Sequence, residues 1–232
     1  PDIEAFMRQH ASSSNTRDAI NCLGLAHLKM RDISKAVKCF RRSLRQAPSD
    51  SGLWNNLGMT YGISGNSNAE ILCYRQAIKH APDDHGSHLN LGMALLAQHD
   101  FSNGLEEYEW RLKSETPLHA AIKGRMPSPK EHVSDLLICT EQGLGDIVHF
   151  SRFIVDLRIF LPRAKITLAC PEKLVGLLCE SFTMLDAVVS VESLDTSTRE
   201  RTYLPLMSIP HYLGIHPYSS KAHACLLYTS DA

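Results

Sequence analysis

Along the first half of the chain the apolar positions keep a helical period; along the second half they gather into short unbroken runs. In "KAVKCFRRSLRQAPSD", Ala36, Phe40, Ser43 and Leu44 share one face by i, i+3, i+4 spacing. The same layout returns at a fixed interval. Leu23-Gly24, Leu57-Gly58 and Leu91-Gly92 recur every 34 residues, as do Phe40, Tyr74 and Tyr108. Pro48 and Pro82 keep the register, and Pro117 falls one residue late. The frames are 17–50, 51–84 and 85–118, each predicted as two helices, and residues 1–16 are expected to hold the last helix of an earlier unit. Glycine lets a neighbouring helix approach closely. Proline stops the second helix, and the "PSD" and "PDD" tripeptides supply capping groups for the next unit.

These residues resemble the tetratricopeptide repeat family. Trp54, Leu57, Gly58, Tyr61, Tyr74, Ala77 and Pro82 fall on the family's pattern; Ile20 stands where Trp is usual in the first unit. The third unit is degenerate, with His88, Gly104 and Arg111 at pattern positions. The resemblance implies an α-solenoid: a right-handed superhelix whose concave face, lined by first helices, takes a protein or peptide ligand. Asn56 and Asn90, one repeat apart, occupy the place where related proteins point an asparagine into the groove to hold a peptide backbone. Cys22 breaks that ladder in the first unit. Polar surface or helix packing is the alternative role for both asparagines. Lys29, Arg31, Lys35, Lys38, Arg41, Arg42 and Arg45 crowd the first unit against Asp32 alone. They read either as a solvated helix face or as a patch for an anionic partner.

Periodicity fades after Trp110, which is expected to pack where the repeats meet the next domain, and residues 119–134 read as a linker. Residues 135–224 then read as α/β. "LLICT" (136–140), "KITLAC" (165–170) and "AVVSV" (187–191) predict buried parallel strands. Ile147, Phe150, Ile154, Leu157 and Leu161 form one helical stripe over 147–161, and Leu174, Val175, Leu177 and Leu178 form another after Pro171. Two successive helical crossovers predict a parallel sheet with Rossmann-like winding. In "YLPLMSIPHYLG", Ser208 is expected to cap a short helix that Gly214 closes.

The stretch "CTEQGLGDIVHF" joins the first strand to the first helix. Ligands of open α/β sheets bind at that edge. Gly143 and Gly145 allow positive φ and close backbone approach. No Gly-Lys-Ser/Thr follows, and Val148 stands where a dinucleotide fingerprint needs its third glycine. A carboxylate at this edge, Asp146, is placed to take a proton from a hydroxyl nucleophile. His149 one turn on and Glu141 at the strand's end are candidate contacts to an acceptor. Asp146 as a plain N-cap, with His149 simply packed, is the competing reading.

"LLICTEQGLGDIVHFSRFIVDL" resembles the start of the glycosyltransferase domain in bacterial tetratricopeptide-repeat proteins related to the lipopolysaccharide heptosyltransferases (glycosyltransferase family 9). "EYEWRL" and "YLPLMSIPHYLG" look like that group's flanks, although the Trp-Gly element usual before the first strand is absent. The resemblance implies a GT-B fold of two Rossmann-like halves, the first binding acceptor and the second a nucleotide-sugar donor. It assigns the general base to Asp146 and acceptor contacts to Glu141, Gly143, Gly145 and His149. It implies metal-independent transfer to a glycan or protein acceptor. The chain is expected to carry only the first half, so that a nucleotide-sugar belongs to the full-length protein, no cofactor is bound here and residues 1–232 are inactive alone. The alternative is a peptide-binding repeat scaffold with a non-catalytic α/β domain.

Composition changes this picture little. Lys plus Arg number 24 and Asp plus Glu 25, without the basic excess expected of a nucleic-acid binder. No apolar run approaches the ~20 residues of a membrane span. Cys22, Cys39, Cys73, Cys139, Cys170, Cys179 and Cys225 form no C-x-x-C pair and read as buried reduced thiols of a cytoplasmic protein, not a zinc site. "CLLYTSDA" (225–232) resembles translated sequencing adapter and is set apart from the fold.

Overall fold

A computed structural model describes residues 13–113, 122–141, 143–194 and 200–215; the expected earlier-repeat segment before Ser13 and the adapter-like tail lie outside them. The chain divides into two compact units, residues 1–113 and 114–232.

Among its described residues the first unit has six α-helices, α1 (Ser13–Lys29), α2 (Ile33–Gln46), α3 (Ser51–Ile63), α4 (Ser67–His80), α5 (His85–Ala97) and α6 (Phe101–Tyr108), followed by a 3-10 turn, Glu109–Lys113. From α2 onward each begins on an Asp or Asn whose side chain accepts the backbone N–H three residues on: Asp32, Asp50, Asn66, Asp84 and Asp100. Asp50 and Asp84 belong to the two tripeptides expected to cap. The turn inside each helix pair uses one left-handed residue, Arg31 (φ 59°), Gly65 (φ 77°) and His99 (φ 63°), again 34 apart in sequence. Only the middle turn has the residue type that adopts this conformation without strain.

The glycine of each Leu-Gly pair faces the aromatic of the same unit. A Cβ on Gly24 would lie 2.8 Å from the Phe40 ring, and one on Gly58 2.7 Å from the Tyr74 ring. At Gly92 it would meet the Tyr108 backbone nitrogen at 2.7 Å. Gly104 lies against Leu96 in the same way, its added Cβ 2.9 Å from that backbone nitrogen. The third pair is therefore packed main chain to main chain, which is why its pattern looks degenerate. Ala36, Phe40, Ser43 and Leu44 are all buried, as their spacing predicts.

Trp54 and His88 hold equivalent places and make equivalent bonds. The Trp54 indole donates to the Pro48 carbonyl at 2.8 Å, and His88 Nε2 lies 2.9 Å from the Pro82 carbonyl. His88 Nδ1 also meets the Glu107 carboxylate at 2.5 Å. Trp110, expected at the join between domains, stacks on His88 within its own unit, the rings 3.6 Å apart. Arg111 is buried, bonded to Glu109 at 2.7 Å.

The second unit holds a five-stranded parallel sheet. Its strands are β1 (Gly124–Arg125), β2 (Asp135–Cys139), β3 (Lys165–Cys170), β4 (Ala187–Ser190) and β5 (Arg201–Pro205), in the order β1-β5-β2-β3-β4. The α-helices among its described residues are α7 (Leu144–Ser151), α8 (Phe153–Phe160), α9 (Glu172–Ser181) and α10 (Ile209–Leu213). Leu136 and Ile138 pack with Ile147, Phe153, Ile154, Leu157 and Leu178, while Leu137 and Cys139 pack with Ile122 and Ala169. Alternate residues of β2 thus feed two separate apolar clusters, which is why the strand reads as a continuous apolar run.

Several expectations need correction. The helix expected over 147–161 begins at Leu144 and breaks at Arg152. Strand β1 lies inside the stretch read as linker, and β5 forms where no strand was expected. Ser208 does precede α10 and Gly214 closes it in left-handed conformation (φ 62°), but Ser208 makes no side-chain cap bond. Cys39, Cys73, Cys139 and Cys170 are buried, whereas Cys22 and Cys179 are exposed. Cys225 lies outside the described residues.

The seam geometry ranks two substitutions. Gly92→Ala meets backbone that cannot turn aside, and should cost about 1–3 kcal/mol after the gain in helix propensity. Gly58→Ala meets a ring edge that can shift, and should cost less. Thermal unfolding of the two variants checks the order; an unchanged melting temperature for Gly92→Ala would contradict the close seam.

Candidate functional site

Two places gather the residues that the sequence singles out. The first is the carboxyl edge of the sheet. From β2 the chain winds outward through β3 and β4, then returns to lay β5 on the other side of β2. The strand order therefore reverses between β2 and β5, and in open α/β sheets ligands bind beside the turns that follow two such strands.

Glu141 follows β2 and is buried. Its Oε1 accepts the backbone N–H of Met207, just past β5, at 3.3 Å. It ties the turn after β2 to the turn after β5, a role that a sequence without a recognised β5 does not disclose. Gly143 is the N-cap of α7, with φ −77° and ψ 163°. Neither Gly143 nor Gly145 has positive φ, contrary to the role expected of them. A Cβ on Gly145 would meet nothing, and one on Gly143 would make ordinary contact with Asp146 at 3.5 Å. What the glycines provide is exposed main chain.

Asp146 is the third residue of α7, so it is not the N-cap. It is half-buried, and no hydrogen bond or ion pair links it to another described residue. The N-terminal turn of a helix favours a negative charge there. His149, one turn further, is exposed and meets Phe150 edge-on, ring centroids 5.4 Å apart. The loop thus offers an unpaired carboxylate, an exposed imidazole and bare backbone beside the Glu141 tie. Among the described residues no group of three or more His, Cys, Asp or Glu side chains is placed to hold a metal ion.

The second place is the row of first helices, α1, α3 and α5. Asn56 Nδ2 donates to Asn21 Oδ1 at 3.2 Å, and Asn90 Nδ2 donates to Asn55 Oδ1 at 2.9 Å. Ser87 Oγ adds a contact to Asn55 Oδ1 at 3.5 Å. The amides link neighbouring first helices, and each of Asn56 and Asn90 keeps its own oxygen and one N–H unpaired among the described residues. One turn on from Cys22, Asn56 and Asn90 stand Leu25, Met59 and Met93, which are 37%, 36% and 48% exposed. This apolar ladder and the Asn21–Asn55 pair were not singled out from the sequence, although the same 34-residue interval would have found both.

Tetratricopeptide repeat models match residues 17–50 and 51–84, the first two frames. No curated protein sequence matches the chain. Among solved structures the chain is similar to the first tetratricopeptide domain of Spaghetti (RPAP3) bound to the HSP90 peptide SRMEEVD, at 16% identity over 43% of this chain and 80% of that one, TM-score 0.41. It is also similar to the Sgt2 domain of Aspergillus fumigatus, at 23% identity, 43% and 66% coverage and TM-score 0.41. MamA of Desulfovibrio magneticus RS-1 is comparable, at 19% identity, 45% and 61% coverage and TM-score 0.41. Among the described residues no helix is long and apolar enough to cross a membrane. Residues 17–84 are tetratricopeptide repeats by sequence and by their helix pairs.

Glu141→Ala leaves the Met207 N–H without that acceptor and should destabilise the sheet unit by about 1–3 kcal/mol, whereas Glu141→Gln keeps a carbonyl acceptor and should cost less. Amide hydrogen exchange at Met207 checks this: protection falls in the alanine variant and largely returns in the glutamine one.

Proposed function

We propose that the chain is a peptide-binding repeat scaffold whose ligand lies along the first helices. The observation that carries this reading is the pairing of two features at one register. Asn56 and Asn90 each retain an amide edge with one acceptor and one donor, the complement of a peptide unit's N–H and C=O. Beside them run Leu25, Met59 and Met93, exposed apolar side chains repeated once per unit. Methionine adapts its shape to varied side chains, as a peptide groove requires. The Asn–Asn bonds between helices hold the amides at fixed orientation before a ligand arrives, which lowers the entropy lost on binding.

The test is a peptide selected on the full chain from a random library. Asn56→Ala combined with Asn90→Ala should weaken its binding about tenfold or more, since each variant loses a pair of hydrogen bonds. Isothermal titration gives the affinity and circular dichroism the folded state; a folded double variant with unchanged affinity would remove the asparagines from the groove.

A second reading concerns the sheet unit. The strand-order reversal and the unpaired carboxylate at that edge support Asp146 as the base of a sugar transfer to a glycan or protein acceptor, within a Rossmann-like acceptor half. Glu141 then holds the turns after β2 and β5 together, and His149 with the Gly143–Gly145 main chain contacts acceptor. A nucleotide-sugar would be the donor, bound by a second half. In a protein carrying both halves, Asp146→Asn should abolish turnover and spare folding; retained turnover would exclude it as base.

A further inference from the structure

On α3, Trp54, Leu57 and Tyr61 lie on the side of the helix roughly opposite Asn56 and Met59, Trp54 and Asn56 being two residues apart, as are Leu57 and Met59, at about 100° per residue. They form the floor of an open apolar cavity of 460 Å3, walled by Leu44 of α2 and by Leu72 and Cys73 of α4. Leu72 is 60% exposed. Burial pushes the Cys73 thiol up to about 11, against the opposing pull of Arg41, so the wall stays uncharged at neutral pH.

The rim of this cavity is cationic. Arg41 and Arg45 border it, and Arg41 is held over it by donating to the Tyr61 hydroxyl at 2.8 Å. With Lys38 and Arg42 they form an exposed row along α2, and no carboxylate among the described residues pairs with any of the four. The corresponding place one repeat later is furnished differently. There Glu106 and Glu107 stand where Leu72 and Cys73 stand here. Glu107 pairs with His88, the counterpart of Trp54, and the Trp110 ring stacks on that same histidine. The third repeat thus brings its own carboxylate and its own large apolar ring to a place that the second repeat leaves open.

From this difference we infer that the cavity over Trp54 and Tyr61 docks an acidic peptide segment, one large apolar side chain of which enters beside Leu72 while flanking carboxylates meet Arg41 and Arg45. The apolar side chain supplies most of the affinity. The exposed charges set the sign of the partner and speed its encounter, and their effect weakens with salt. This site is separate from the first-helix groove and does not depend on it.

The experiment uses the full chain and a random peptide library displayed on phage, selected in parallel on the native chain and on Arg41→Glu/Arg45→Glu. The expected result is a class of peptides with Asp and Glu around one Leu, Ile, Phe or Trp. Their dissociation constant should rise about tenfold or more in the double arginine variant and in Leu72→Glu, and stay within about twofold of native in Asn56→Ala/Asn90→Ala. All substituted side chains on this face are at the surface, and circular dichroism verifies folding. The inference is overturned if no acidic class is selected or if its binding survives Arg41→Glu/Arg45→Glu. It is equally overturned if binding is lost only in the asparagine variant, which places the peptide in the other groove. Concentration-dependent dimerisation abolished by Leu72→Glu would also overturn it, by assigning the cavity to a second copy of the chain.

Discussion

The repeat unit depends on the absence of one carbon atom. At Gly24 and Gly58 the space a Cβ needs is already filled by the aromatic sixteen positions later, and at Gly92 it is filled by backbone. The Leu-Gly pair and the aromatic are therefore a single feature seen twice in the sequence, two sides of one helix seam. The spacing between seams then sets everything else in the first unit. It fixes where the left-handed turn residue falls, where the Asp or Asn cap falls, and which side of each first helix is left to face outward. Both the asparagine edges with their apolar ladder and the arginine-rimmed cavity are by-products of that register, on opposite sides of the same helix.

The sheet unit rests on a different constraint. Its strands are parallel, so neighbours in the sheet are distant in the chain. β2 is central, and alternate residues on it go to different apolar clusters. At its end a buried carboxylate would be costly without partners. Glu141 meets this by accepting from the Met207 N–H, and so couples the position of the β2 loop to that of β5. Asp146 is treated differently by the fold: it sits on the first turn of a helix, half-buried, with no such tie.

Legibility in the sequence followed the physics of each part. The helix pairs could be read because their determinants are local and repeat: Asp50, Asp84, Gly58 and Tyr74 each act within one or two units. β2 and β3 could be read because burial on both sides leaves nearly unbroken apolar runs, and β4, a half-buried edge strand, because its short valine-rich run has the residue types that favour strands. β5 could not, since Arg201–Pro205 has a polar start and ends on a proline, and it is a strand only because β2 and β1 pair with it. For the same reason the sequence shows Glu141 as a carboxylate at a strand end but not as the bond between the turns after β2 and β5. The glycines of the 143–145 loop suggested a left-handed turn that the backbone does not make; glycine permits that conformation without requiring it. The substitution of His88 for Trp54 looked like decay of the pattern, yet both side chains reach the carbonyl of the preceding proline.

The distances along the chain that these contacts bridge imply an order of folding. Every glycine–aromatic seam closes over sixteen residues, a small loop with little entropy to lose, so a repeat can form soon after its own second helix exists. The Glu141–Met207 bond spans 66 residues. Until β5 has been synthesised, β2 is an uncovered strand edge at the middle of its sheet, a surface open to wrong pairing. During synthesis the helical unit is thus free to mature early, while the central strand of the α/β unit waits on β5.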